Sequence, residues 1–443
     1  MASPIPDDAP VISAARSSAG AGRVIRMTVA LAAADAQVYW MSAKIPNDQF
    51  LLYAFDGESD DRAVSQVVAR ARRCPELQLR VEDGCPLTYP MWVHRNTGAD
   101  QIVTHGPVPG WQQCLDAVAR LADHQLDLRQ AAWRLHIFGP VAGVPGAATP
   151  SAVAVVQMGH ALGDGMRSSA LAAALFGRAS DAPGISGLKP RSLIRCGVTA
   201  ARAQKRLERD TAAGLVPPSA PGRPVLSINA RPGRRRTIRT LLRRRAELPG
   251  PTVTVGVLAA ISGALASYLR DHGEDTSALG AEVPMAKPGV RRANNHFGNV
   301  GVGLYPELAF EQRIARIAAE LDQRRRRAEH PAFEAGDRAL AAVPAPLLRW
   351  GVRQFDADSR SPIVTGNSVV SSVNRGPADL TFGGRPVVLS AGYPALSPMM
   401  GLTHGVHGIG DTIAISVHAA ESAVEDIDDY ADRLDTALSD RCG

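Results

Sequence analysis

Apolar positions along the chain recur with two periods. Asp61 to Arg73 sets Val64, Val67, Val68 and Ala71 on one helical face, and Trp111 to Ala122 does the same with Trp111, Leu115, Val118 and Ala122. Phe310 to Arg327 turns Phe310, Ile314, Ile317, Ala318 and Leu321 inward and ends in the outer run Arg324 to Arg327. Val424 to Leu438 closes the chain as a helix with Val424, Ile427, Ala431, Leu434 and Leu438 on one face. Shorter apolar runs lie between the helices: Val24 to Ala30, a loop and apolar segment over Ser42 to Phe55, and strands over Trp133 to Val141, Ser368 to Val373 and Arg385 to Tyr393. Ser151 to Met158 is a continuous apolar run of strand length, the mark of a strand buried on both faces. An Ala-rich helix follows over Ser168 to Phe176, and Val406 to Ala419 predicts a hairpin turning at Gly410-Asp411.

These elements predict a mixed α/β (α+β) protein in two halves. Pro217, Pro218, Pro221, Pro224 and Pro232, set among Gly, Ser and Arg, mark residues 210–235 as a crossover linker. The halves are then 23–209 and 236–443, preceded by a mobile tail, 1–22, that lacks the charged and apolar regions of a signal peptide. Gly250 to Leu269 is uncharged over spanning length. Its Gly, Ser and Thr content and its Pro251-Thr252 start predict a capped helix buried in a soluble core instead.

With 45% hydrophobic and 21% charged residues, the 443-residue chain falls among soluble globular proteins, which excludes a wholly disordered, collagen-like or polytopic membrane chain. Cys74, Cys85, Cys114, Cys196 and Cys442 form no C-x-x-C pair, so neither a disulfide framework nor a zinc site is expected, and a cytoplasmic location fits. The net charge is +6, and only Lys44, Lys189, Lys205 and Lys287 among the 49 basic residues are lysines. The arginine excess reads as the bias of a GC-rich genome or as attraction to anionic partners such as lipid headgroups or CoA phosphates. Arg234 to Arg236, Arg243 to Arg245 and Arg324 to Arg327 read as solvated faces, with those anions as the alternative. Aromatic residues do not interleave with the basic clusters, which argues against nucleic acid. His404 and His407 read as a hairpin loop and not a metal site, and Asn294-Asn295-His296 as a polar loop. No phosphate-binding Gly-rich loop with a following Lys and no G-x-S-x-G elbow occurs.

The stretch that carries chemistry is Val155 to Gly165 (VVQMGHALGDG). A buried strand delivers His160 to its end, a short loop follows, and an Asp-Gly pair, Asp164 and Gly165, opens a helix. A neutral imidazole there can take a proton from a hydroxyl near pH 7, provided a neighbour fixes its ring. Asp164 can brace the loop through an arginine or backbone N–H groups.

At these residues the chain resembles the CoA-dependent acyltransferases with an H-x-x-x-D-G motif, and within them the bacterial wax ester synthase / diacylglycerol acyltransferase family. The resemblance runs from about Met41 to Leu438. It includes Asp48 before Phe50-Leu51, Leu126-Asp127 to Trp133, Gly298-Asn299 followed by Leu304-Tyr305-Pro306, and Ser371 to Pro377 (SSVNRGP). The chain diverges where Gly159 stands for the first of two adjacent histidines, where Thr254-Val255 stands for an N-D pair, and where Ser372 and Asn374 stand for Asn and Pro.

The resemblance implies two chloramphenicol-acetyltransferase-like halves with a tunnel between them. It implies acyl-CoA as a substrate with no cofactor and no metal. His160 would be the general base in direct transfer, with no acyl-enzyme, to diacylglycerol or a long-chain alcohol. Asp164 and Gly165 would shape the site, and Gly298, Asn299, Ser371 and Ser372 would line the tunnel. A polyketide, sugar or peptide acceptor is one alternative; a catalytically silent lipid-binding member is another. The lipid or alcohol acceptor and the basic surface imply peripheral contact with an anionic membrane.

Overall fold

The structure is a computed structural model, which describes residues 29–179, 182–186 and 192–439; the tail 1–22 and Cys442 lie outside them. Two six-stranded mixed sheets form the halves. In the first, the strands run in the order Thr381–Phe382, Arg385–Gly392, Gln49–Phe55, Ser151–Met158, Trp133–Val141 and Ile102–Thr104. In the second, the order is Phe297–Gly303, Gly280–Ala286, Ser368–Asn374, Leu402–Ile409, Thr412–Ala420 and Arg236–Arg244.

The central strand Ser151–Met158 is buried along its whole length. Ala152, Ala154, Val156 and Met158 enter one core with Tyr53, Phe55, Trp133 and Phe176. Val153 and Val155 enter another on the opposite face, with Leu115, Val118 and Phe138. Both faces are covered, so no position is left for a polar alternation. That second core also takes Ile238 and Ala414 from the C-terminal half and so joins the two halves.

The C-terminal half does not keep to its own sheet. Thr381–Phe382 and Arg385–Gly392 cross over, and Arg385–Gly392 pairs antiparallel with Gln49–Phe55. Residues 210–235 are not a bare linker: the helix Leu193–Ala212 runs into them, and Arg223–Pro224 pairs with Ile363–Val364. Val253–Asp271 is a helix capped by the Thr252 side chain, which accepts from the Val255 N–H. It is long and apolar enough to cross a membrane, but most of it is buried in the C-terminal core with Val302, Ile314, Val406 and Leu434.

Two of the basic runs contain side chains that are not solvated. Arg324 is buried, binds Glu320, and donates to the carbonyls of Gly301 at 2.9 Å and Pro218 at 2.7 Å. Arg243 donates to Asp435 at 2.8 Å across the edge strand Arg236–Arg244. His404 and His407 are not in a loop: both are buried within the strand Leu402–Ile409, where His404 bonds Ser368 and Tyr430.

Candidate active site

The strand that begins at Ser151 ends at Met158, and the N–H of the next residue, Gly159, donates to the Ala132 carbonyl at 3.0 Å. A Cβ on Gly159 would stand 2.2 Å from a Leu128 methyl, so that space belongs to leucine and has no room for a side chain. A single 3₁₀ turn, His160–Leu162, then presents the imidazole. Asp164 stops the turn and caps the helix Gly165–Leu175, accepting from the Arg167 N–H at 3.1 Å.

His160 is half-buried at the wall of a cavity of about 380 Å³ between the halves. Its Nδ1 lies 2.8 Å from the Asn295 side-chain oxygen. The orientation of that amide follows from its other bonds: Asn295 Nδ2 donates to the His160 carbonyl and to Asp35 Oδ1, both at 2.9 Å. Oδ1 of Asn295 is therefore the acceptor, Nδ1 of His160 carries the proton, and Nε2 keeps its lone pair. Nε2 makes no hydrogen bond. Burial pushes the His160 pKa below its ordinary value, opposed by the bonds to its own backbone and Asn295 and by the charge of Asp164. The ring is a neutral base at pH 7, with Phe297 packed beside it at 5.7 Å between centroids.

Asp35 anchors the loop that carries Asn295. It is buried and accepts from the Asn294 and Asn295 N–H groups at 2.8 and 2.9 Å. Burial pushes its pKa up to about 6, against those hydrogen bonds. Asp164 holds the same loop from the other side. Its Oδ2 meets Arg291 Nη1 at 2.8 Å and the His296 N–H at 3.0 Å. The segment Asn294-Asn295-His296 is thus the support of the site rather than a plain polar loop. Sequence reasoning passed over Asp35 and Arg291 altogether. The one local signal was an acid in the apolar helix Ala33–Met41, where a buried carboxylate needs donors from elsewhere.

Of the other residues singled out from sequence, Gly165, Asn299, Ser371 and Ser372 line the cavity with His160 and Asp164. Gly298 does not line it; its neighbours Phe297 and Asn299 do. Asn299 donates to Glu282, and Ser372 accepts from Thr254 at 2.9 Å. Asp48 and Phe50 line the wall as well. Asp48 accepts from the Leu126 N–H and from Gln157 Nε2, both at 2.7 Å, and burial raises its pKa to about 6. Among the described residues no cluster of His, Cys, Asp and Glu could hold a metal ion.

The cavity thus takes residues from both sheets, and His160 presents to it an imidazole whose Nε2 makes no hydrogen bond. Residues 294–440, which include the Asn295 loop, match the family model of the WS/DGAT C-terminal domain. The chain shares its fold with a wax ester synthase/diacylglycerol acyltransferase from Marinobacter aquaeolei VT8, with 18% identity and a TM-score of 0.60 over 93% of this chain and 98% of that one. A starter condensation domain of rhizomide synthetase, solved with C8-CoA and Leu-SNAC, is 13% identical with a TM-score of 0.55 over 93% of each chain. The first condensation domain of the CDA synthetase is 15% identical with a TM-score of 0.55, over 95% of this chain and 98% of that one. At these identities the likeness is one of fold. No curated protein matches the sequence.

Proposed function

We propose that the chain is an acyl-CoA-dependent O-acyltransferase in which His160 is the general base. One observation carries this reading: Nδ1 of His160 is held by Asn295 at 2.8 Å, while Nε2 faces a cavity lined by both halves. The match of residues 294–440 to the model of the WS/DGAT C-terminal domain supports acyl-CoA as donor and a lipid hydroxyl, of a long-chain alcohol or diacylglycerol, as acceptor.

In this reading Nε2 takes the acceptor's hydroxyl proton as its oxygen attacks the thioester carbonyl. The tetrahedral intermediate collapses, the C–S bond breaks, and the departing CoA sulfur takes the proton from the imidazolium. The products are an ester and CoA thiol; the enzyme returns unchanged, with no acyl-enzyme and no cofactor. Asp164 works through the loop: both of its oxygens are engaged by Arg167, Arg291 and His296. The chain would work at an anionic membrane surface, since exposed Leu347 and Trp350 share the helix Ala345–Gln354 with Arg349 and Arg353.

The test is CoA-thiol release from palmitoyl-CoA with 1-hexadecanol or diacylglycerol and without any acceptor. Acceptor-dependent release supports the reading; no release with any acceptor would make the chain a silent member of the fold. One observation favours a second reading, in which the acceptor is not a neutral lipid: a buried arginine, Arg375, lines the same cavity.

A further inference from the structure

Arg375 stands where the crossover segment leaves the C-terminal sheet, one residue after the strand Ser368–Asn374. Its backbone N–H is tied to the Gly408 carbonyl at 2.7 Å, so the side chain is aimed inward, and only 4% of the residue is exposed. One arm of the guanidinium is used: Nη1 donates to Ser390 Oγ at 2.5 Å and lies 3.5 Å from the Leu52 carbonyl. The other edge is not used. Nε is fully buried with no hydrogen-bond partner, and Nη2 makes no hydrogen bond. Nη2–H is therefore the donor left for an anion in the cavity that Arg375 lines.

No carboxylate of the described residues pairs with Arg375. Its titratable neighbours are the phenols of Tyr53, whose ring centroid is 5.2 Å from the guanidinium carbon, and of Tyr393, and the imidazole of His407. The Tyr53 hydroxyl and His407 Nδ1 are also buried without a partner. His407 is beside the fork. A Cβ on Gly392 would stand 2.7 Å from Arg375 Nη2 and 2.8 Å from His407 Cε1, so the bare glycine keeps a gap between them. Arg375, His407, Gly392 and Tyr393 all line the cavity that holds His160. A buried cation without a counter-charge is costly. A ligand that brings a negative charge and an acceptor oxygen would offset that cost.

We propose that Arg375 and His407 form a carboxylate-binding corner of the cavity, so that the preferred acceptor carries a carboxylate as well as the hydroxyl it esterifies. The chemical class is a hydroxy fatty acid rather than a neutral alcohol or glyceride. This rests on the reading of His160 as the base; the corner itself does not. Burial lowers the pKa of Arg375 and of His407, the latter well below the ordinary imidazole value, which increases the gain from an incoming anion at Arg375 and leaves His407 neutral as a hydrogen-bonding neighbour.

The experiment has a binding arm and a turnover arm on the full chain. In the first, dodecanoate should raise the melting temperature of the wild type more than 1-dodecanol does at equal concentration. That difference should vanish in Arg375→Met and shrink in Arg375→Lys, which keeps the charge and loses the fork. In the second, 12-hydroxydodecanoate should exceed its methyl ester as acceptor for palmitoyl-CoA by about tenfold or more in kcat/KM, the worth of a hydrogen-bonded charge. The ratio should fall to near one in Arg375→Met. A parallel comparison with 1-dodecanol as acceptor sets the mono-CoA thioester of a dicarboxylic acid against lauroyl-CoA; a preference for the former alone would move the carboxylate to the donor and overturn the acceptor assignment. Equal stabilisation of the wild type by dodecanoate and 1-dodecanol would overturn the corner, and this can be read even if the Arg375 variants do not fold. Binding of dodecanoate without turnover of any acceptor would leave the corner standing and remove the reading of His160.

Discussion

Asn295 holds His160 at two points: its side-chain oxygen lies 2.8 Å from Nδ1, and its side-chain nitrogen donates to the His160 carbonyl at 2.9 Å. Ring and backbone are therefore fixed by one residue, 135 positions away in the chain. The same amide nitrogen reaches Asp35, so the support continues into a third segment.

Asn295→Ala should lower kcat by about tenfold or more with little change in the KM for acyl-CoA. The tautomer and ring orientation of a base are worth several powers of ten where both are lost, and here the pocket walls retain part of the orientation. Steady-state kinetics on a folded variant checks it. An unchanged kcat would show that Asn295 does not position the ring.

Asp164→Asn should destabilise the protein by about 3–5 kcal/mol, because it leaves the nearly buried Arg291 without its counter-charge. Removing both charges, in Asp164→Asn with Arg291→Met, should cost less than the two single changes added together. Denaturant unfolding measures the three variants. Additive losses would mean that the 2.8 Å contact carries no coupling.

The acid limb of kcat/KM should fall below pH 6.5, because burial depresses the pKa of His160 and the neutral ring persists into mildly acidic solution. The same shift has a stability sign. Stability from this group is fully present above the unfolded value of 6.5 and is lost as pH falls through the lower folded value. Asp35 works the other way: its contribution is present below 3.8 and lost as pH rises through about 6. A pH–rate profile for wild type and Asn295→Ala, with melting curves across pH 4–8, separates the two. A limb at or above 6.5 would contradict a buried neutral base.

Sedimentation with vesicles should show binding to anionic and not to zwitterionic lipid, weakened as salt is raised to physiological strength. Trp350, 60% exposed, and Leu347 on the helix Ala345–Gln354 supply the apolar contact. Trp350→Ser should reduce binding several-fold. Binding that resists high salt and needs detergent for release would point to insertion instead.

The central strand and its histidine were legible in sequence because their signal is local. Eight consecutive buried positions end at one imidazole, and the Asp-Gly pair follows within five residues. Asn295, Asp35 and Arg291 were not legible, since each acquires its meaning from a partner more than 100 residues away. The crossing of Arg385–Gly392 into the other sheet was hidden for the same reason: an apolar run gives a strand but not its neighbour. Arg236–Arg244 carries arginines on an edge strand, where they pair with Asp428 and Asp435 of the last helix, and charge masked its period. The motif around Ser371 drew attention to Ser371 and Ser372, which line the cavity, while Arg375 in the same stretch read as one more arginine in a chain rich in them.

The most direct test of the account is CoA-thiol release from palmitoyl-CoA by wild type and His160→Ala, each with and without a hydroxyl acceptor. Outside its own residue the side chain is hydrogen-bonded to Asn295, and the residue lies at the cavity wall, so the variant should melt close to wild type. Loss of the base should lower acceptor-dependent release by about 10²–10⁴-fold. A folded His160→Ala that keeps most of the wild-type rate would contradict the assignment of His160 as the base.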